Sequence, residues 1–330
     1  MAARVPACER QRDEDKVLTI LPPRMLLVVG ILLSASLPWY GCSPQRLEPT
    51  RESNSPSRSE VDAASAREKI EGKNSHLEYE RAISHIRWIG GSVERDENDP
   101  NRPVVTVFLN GPRISDEDLG YVSRFDKLQR LSLLDSHISA AGLSHLRGLA
   151  ELRWLYLSRS QVTDSELLQL KGLTKIAELG LHRTRISDDG LTIVQGLKGL
   201  RILDIGNTPT TDAGLAHLQG LNDLRKLDLS GTRLTDAGLK SLRGLTHLWS
   251  LNLAATQAGD SGLAHLAGLT RLQQLDLRET RITDLGLEQL KGLTNLQALD
   301  LSKTEVTDSG LRAIRIALPE AAIIKESGTP

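Results

Sequence analysis

LRKLDLSGTRLTDAGLKSLRGL, residues Leu224 to Leu245, carries two hydrophobic periods in one short stretch. In Leu227-Asp228-Leu229-Ser230 apolar and polar residues alternate, the pattern of a strand with one buried face. After Thr235 the period lengthens, and Leu239 and Leu242 share one helical face. Thr235 is a natural helix N-cap, and Asp236 puts a carboxylate in the first turn, where the helix dipole favours it. Gly244 stands where a helix would end. The stretch therefore reads as a strand, a turn and a helix of about two or three turns.

The same unit continues in both directions without insertion or deletion. Leu109, Leu133, Leu157, Leu181, Ile205, Leu229, Leu253, Leu277 and Leu301 each lie 24 residues after the last. A fixed period of this length means a solenoid, because one unit can bury its apolar face only against its neighbours. Every unit returns in the same direction, so the strands are parallel. Thr163-Asp164-Ser165-Glu166 forms a capping box at one helix start.

The unit L-x-x-L-x-L-x-x-T-x-I-T-D-x-G-L-x-x-L-x-G-L resembles the leucine-rich repeat, from about Val104 to Ala317. Its I-T-D-x-G-L tail resembles the subtype of ribonuclease-inhibitor-like and F-box-associated repeats and of many bacterial surface proteins. The resemblance implies an α/β solenoid, a right-handed horseshoe with a parallel concave sheet and short convex helices. Thr184, Thr208, Thr232, Thr256, Thr280 and Thr304 stand where the family usually has Asn or Cys. A hydroxyl can take over part of the side-chain ladder to neighbouring backbone that the family's Asn provides.

Both ends of such an array need covering. Ser75-His76-Leu77-Glu78 opens a helix with Ala82, Ile83, Ile86 and Ile89 as its apolar stripe, and Gly90 and Gly91 stop it. A polar loop with Asp99-Pro100 leads to the first strand at Val104. At the far end Pro319 terminates the last helix, and Ile323 and Ile324 can form a closing strand. The expected organisation is an export signal over 1–41, a tether over 42–74, an N-terminal helical cap over 75–103, nine repeats over 104–316 and a C-terminal cap over 317–330.

The net charge is −1 and aromatic residues are 3% of the chain, so neither a basic field nor an aromatic platform points to nucleic acid. The only cysteines are Cys8 and Cys42, both before the repeats, which excludes a disulfide framework or thiolate metal site within them. Basic residues up to Arg24 precede the apolar run from Met25, and Gly41-Cys42 resembles the end of a bacterial lipobox, in which the cysteine is lipidated. Trp39 and Tyr40 depart from that motif. An uncleaved anchor or another cleavage site are the alternatives, although the apolar run is short for a spanning helix. The Ser-rich, mixed-charge segment after Cys42 lacks the apolar residues to fold and reads as a tether.

Three constellations could carry chemistry. The column Asp116, Asp164, Asp188, Asp212, Asp236, Asp260, Asp284 and Asp308 could be a calcium ladder, but reads better as each aspartate supporting its own helix start. Ser158, His182 and Asp204 lie on adjacent strands, yet an open sheet supplies neither a buried orienting acid nor an oxyanion hole. His145, His217 and His265 recur too far apart to share a metal. The expectation is a non-enzyme without cofactor.

The concave face remains. Trp154 and Tyr156 stand there as i, i+2 neighbours, with Arg153, Arg159, His182 and Arg183 nearby, and aromatics and Arg are the usual hot-spot residues. Asp204, Asp228, Asp276 and Asp300 follow in the Tyr156 column, so the face should run from aromatic and basic to acidic. The favoured reading is a monomeric, lipid-anchored scaffold of the bacterial envelope that binds a protein or glycan there. The alternative is an intracellular substrate-recognition or inhibitor module.

Overall fold

The computed structural model describes residues 75–326. The segments expected to be an export signal and a tether, with Cys42, lie outside the described residues. Helix α1 covers 75–88 and packs Ala82, Ile83 and Ile86 into the core. It ends as expected at the glycine pair. Gly90 has φ +89°, its N–H donates to Arg87 O, and the Gly91 N–H reaches back to Ile86 O at 2.8 Å.

The segment between that helix and the first repeat is not only loop. Ser92–Arg95 forms β1, antiparallel to β2 (Val104–Phe108), and Val93 pairs with Val107. With one large apolar residue in four, β1 gives almost no sequence signal. It covers the edge that the first parallel strand would otherwise leave open.

The remaining strands are β3 (Arg130–Ser132), β4 (Trp154–Tyr156), β5 (Glu178–Gly180), β6 (Ile202–Asp204), β7 (Lys226–Asp228), β8 (Ser250–Asn252), β9 (Gln274–Asp276), β10 (Ala298–Asp300) and β11 (Ala322–Ile324). All eleven lie in one sheet in chain order, parallel from β2 onward. Register follows the repeat, so Leu203 sits beside Leu227 and Leu227 beside Leu251. Inward side chains of each turn form one layer. In the central repeat Leu224, Leu227, Leu229, Leu234, Leu239, Leu242 and Leu245 are all buried, and the core runs unbroken from Ala82 to Leu318.

Between strands come α2 (Asp116–Val122), α3 (Ala140–Ser144), α4 (Asp164–Leu167), α5 (Asp188–Val194), α6 (Asp212–Leu215), α7 (Asp236–Leu239), α8 (Asp260–Leu263), α9 (Asp284–Leu287) and α10 (Asp308–Ala317). Most are shorter than the repeat suggests, being one α-turn that tightens to 3-10, as α7 does over Lys240–Leu242. Gly244 does not end α7 with a left-handed residue. At its position in the repeat only Gly172 and Gly220 adopt positive φ. The last helix, α10, runs longer, to Ala317, and β11 closes the sheet beside β10.

The aspartate column does something the sequence reading missed. Each aspartate except the last, Asp308, bonds to the helix start of the following repeat. Asp188 accepts the Thr211 N–H at 2.8 Å and its hydroxyl at 2.6 Å. Asp116 holds Ser139, Asp164 holds Ser187, Asp212 holds Thr235, Asp260 holds Thr283 and Asp284 holds Thr307 in the same way, and Asp236 accepts the Gly259 N–H. This also explains the glycine in T-D-x-G. A Cβ on Gly142, Gly190, Gly214, Gly238, Gly262, Gly286 or Gly310 would collide with the preceding repeat's aspartate.

Two helix starts lack that aspartate, and both carry an acid in place of the glycine. Thr163 follows Ala140, and Glu166 accepts its N–H and hydroxyl at 2.8 and 2.5 Å. Ser115 opens the first repeat, and Asp118 accepts its N–H and hydroxyl at 2.8 and 2.9 Å. The carboxylate is supplied from the repeat before or from within, and the helix start has room for only one of them.

The threonines at the family's Asn position make no ladder between repeats. Each hydroxyl donates to the carbonyl three residues earlier in its own repeat, as Thr232 does to Leu229 O at 2.5 Å. The residue before each of them, and before Ser136 and Ser160 at the same repeat position, is left-handed. Asp135, Arg159, Arg183, Asn207, Ala255, Glu279 and Lys303 have φ between +54° and +60°, and Gly231 has +63°. That turn aims the N–H at the next repeat, as Ala255 N–H donates to Arg278 O at 2.7 Å.

Candidate functional site

The outward positions of β2–β10 form a continuous face whose spacing is set by the sheet, at about 4.8 Å per strand. Trp154 and Tyr156 project from β4, half-buried, with Leu155 between them in the core. Their partners sit on the flanking strands. The Arg130 guanidinium of β3 stacks over the Trp154 ring at 4.8 Å, a cation–π contact. The Tyr156 hydroxyl donates to Glu178 Oε2 of β5 at 2.7 Å. Burial, with Glu178 beside it, pushes the Tyr156 phenol well above its ordinary pKa. Gly180 stands next to Tyr156 in register, and a Cβ there would come within 3.1 Å of the ring.

The sequence reading named both aromatics but missed the roles of Arg130 and Glu178. Arg130 is 24 residues before Trp154 and so adjacent in register, a signal the period already contained. Glu178 sits diagonally from Tyr156, a relation that depends on side-chain reach.

The other expected residues divide by environment. Arg153 is exposed at the leading ends of the strands. Arg159 is tied to Asp135, Nε to Oδ1 at 2.9 Å, and Arg183 is exposed at its left-handed turn. His182 places Nδ1 3.4 Å from Asp204 Oδ1 and Nε2 3.4 Å from Asn207 Nδ2, so neither ring nitrogen addresses Ser158. Asp204, Asp228 and Asp300 each accept a backbone N–H two residues on, at 2.9–3.0 Å. Asp276 does the same for Arg278.

Arg278 alters the expected charge pattern. It grips Asp276 through Nε and Nη2, at 3.0 and 2.7 Å, and comes within 3.6 Å of Asp300. One of the two negative charges at the far end is therefore compensated, whereas among the described residues neither Asp204 nor Asp228 has a Lys or Arg within ion-pair distance. In the aspartate column of the helix starts the carboxylates from Asp116 to Asp284 bond to the next repeat. Among the described residues no cluster of three or more His, Cys, Asp or Glu is placed to hold a metal ion.

Leucine-rich repeat family models match residues 198–257 and 292–314. The chain is a leucine-rich repeat protein. Among solved structures it is similar to a leucine-rich repeat protein of Leptospira interrogans, at 24% identity and a TM-score of 0.51. That match covers 62% of this chain and half of the Leptospira chain, and it bears on the fold alone. Internalin C2 of Listeria monocytogenes matches at 23% identity over 68% of this chain and 81% of its own, with a TM-score of 0.42. A plant peptide hormone receptor, solved in complex with RGF2, matches at 15% identity over 66% of this chain and 38% of its own, with a TM-score of 0.43. No curated protein gives a significant match to this sequence. The leucine-rich repeat fold fits a non-catalytic protein-binding scaffold.

Proposed function

We propose that this leucine-rich repeat protein is a non-catalytic scaffold that binds a protein partner on its sheet face and is tethered to a bacterial membrane through Cys42. The observation that supports the binding site is the clamping of two half-exposed aromatics, Trp154 by Arg130 and Tyr156 by Glu178. Side chains already held in place lose less freedom when a partner covers them, so more of the contact energy appears as affinity. The tether rests on the apolar run from Met25 followed by Gly41-Cys42.

Cross-linked capture by the full-length chain, compared with Trp154→Ala and Tyr156→Ala, tests the site. Loss of about tenfold or more in affinity on either substitution supports it. Unchanged affinity on both moves the partner elsewhere. Fractionation tests the tether. Cys42→Ser should shift the protein out of the membrane fraction, and an unmodified Cys42 in the mature protein would refute lipidation.

A further inference from the structure

The two edges of the sheet are guarded differently. At the near edge β1 carries a bulge between Glu94 and Arg95, and two of its four residues are charged, both features that discourage further strand pairing. The far edge, β11, has neither: Ala322, Ile323 and Ile324 run in unbroken register with β10. Ala322 N–H donates to Gln297 O at 2.8 Å, Ile324 O accepts from Leu301 N–H at 2.9 Å and Glu326 O accepts from Lys303 N–H at 3.2 Å. These three residues turn their backbone groups toward the preceding repeat. Ile323 and Lys325, between them, turn theirs to the open side, where nothing among the described residues meets them. The Lys325 side chain does not shield this edge, because its Nζ folds back onto Thr304 O at 2.5 Å. Ile324 is 46% exposed.

We propose that this edge joins a second copy of the chain, antiparallel about a two-fold axis at Ile324, so that the protein is a dimer rather than the monomer expected from its sequence. The edge is complementary to itself in one register. Ile323 and Lys325 lie symmetrically about Ile324, so each copy's Ile323 exchanges both backbone bonds with the other's Lys325. In that register Ile324 meets Ile324 as the close, non-hydrogen-bonded pair, Ala322 lies opposite Glu326, and no like charges are opposed. The helix side agrees. Because α10 stands between β10 and β11, the two-fold runs it antiparallel to its copy at two strand spacings, about 10 Å, an ordinary distance for packed helices. A Cβ on Gly310 would meet Asp284 of the preceding repeat. Asp308 and Arg312, two residues to either side, therefore face away from that repeat and toward the open end. Both are exposed, and neither forms an ion pair among the described residues. With the helices antiparallel, Asp308 of each copy can bond Arg312 of the other. An extended peptide of another protein would find the backbone bonds but not this reciprocity of Ile324, Asp308 and Arg312.

The test uses the full-length protein in mild detergent, with Cys8→Ser and Cys42→Ser so that any introduced thiol stands alone. Sedimentation velocity over a range of concentrations should show a monomer–dimer equilibrium and nothing larger. Under mild oxidation Ile324→Cys should cross-link the dimer, since the Cα atoms of a close antiparallel pair stand about 4.5 Å apart, within the disulfide range. Ala322→Cys, opposite Glu326, should cross-link at least about tenfold more slowly. Ile324→Lys and Ile324→Glu should each weaken dimerisation by about tenfold or more through like charge across the axis, with the unfolding midpoint little changed. Mixing those two variants should restore it. A monomer at every concentration overturns the proposal, as do assemblies beyond the dimer, equal cross-linking by the two cysteine variants, or association indifferent to the charge placed at Ile324.

Discussion

Asp212 accepts the Thr235 N–H at 2.8 Å through Oδ1 and the Thr235 hydroxyl at 2.5 Å through Oδ2, so a side chain of one repeat caps the helix of the next. Asp212→Ala leaves that N–H without its acceptor and should destabilise the protein by about 1–3 kcal/mol in urea unfolding. Asp212→Ala combined with Gly238→Glu recreates the arrangement seen at Ala140 and Glu166, and should recover much of the loss. Gly238→Glu alone should be worse than the pair, because the new side chain meets Asp212. Additive single effects would show that the two positions do not compete for one space.

Leu229 is fully buried in the middle of the array, with a leucine layer on either side. Leu229→Ala should cost about 2–5 kcal/mol through lost burial and a cavity that neighbouring repeats cannot collapse. A change under about half a kcal/mol in a denaturant melt would contradict the stacked core.

Acid should weaken the helix starts. Burial alone would raise the carboxyl pKa of Asp118 and Glu166. Hydrogen bonds from His85 and Ser115 outweigh it at Asp118, and those from Thr163 outweigh it at Glu166, so both lie below their usual range. The Thr307 hydroxyl and N–H also hold Asp284 low. A carboxyl whose pKa is depressed by folding contributes stability above its unfolded value, near 4, and loses it as pH falls through the folded value. The urea midpoint should therefore drop as pH falls below about 4, and less steeply in Glu166→Gln.

Ala255 is exposed and left-handed at φ +54°. A Cβ is disfavoured there by about 1–2 kcal/mol, partly offset by glycine's larger entropy in the unfolded chain. Ala255→Gly should raise stability by up to about 1 kcal/mol in thermal or urea melts. The central repeat already has glycine at this position, as Gly231.

Period and alternation were enough to place the parallel strands, the leucine layers, the first cap helix with its Gly90 stop and the closing strand at Ile323. They missed β1 because Val93 alone carries its hydrophobic signal. They also assigned Asp212 to its own helix, because one-dimensional reading sees Asp212 beside Thr211 and not beside Thr235, 23 residues on. The face residues were legible as outward positions. Their pairing was not, since the contacts of Tyr156 with Glu178 and of Arg278 with two aspartates depend on side-chain reach across strands.

The aspartate bonds all point the same way, and this gives the array a grammatical direction: every repeat finishes the sentence begun by the one before. Cutting repeats from the far end leaves a surplus aspartate facing water, the condition Asp308 already has among the described residues. Cutting from the near end strands a helix start without its carboxylate, unless, as at Ser115 and Thr163, the repeat carries its own. Shortened versions should thus tolerate loss at one end far better than at the other, and a viable new beginning is marked in advance by an acid where the other repeats keep glycine.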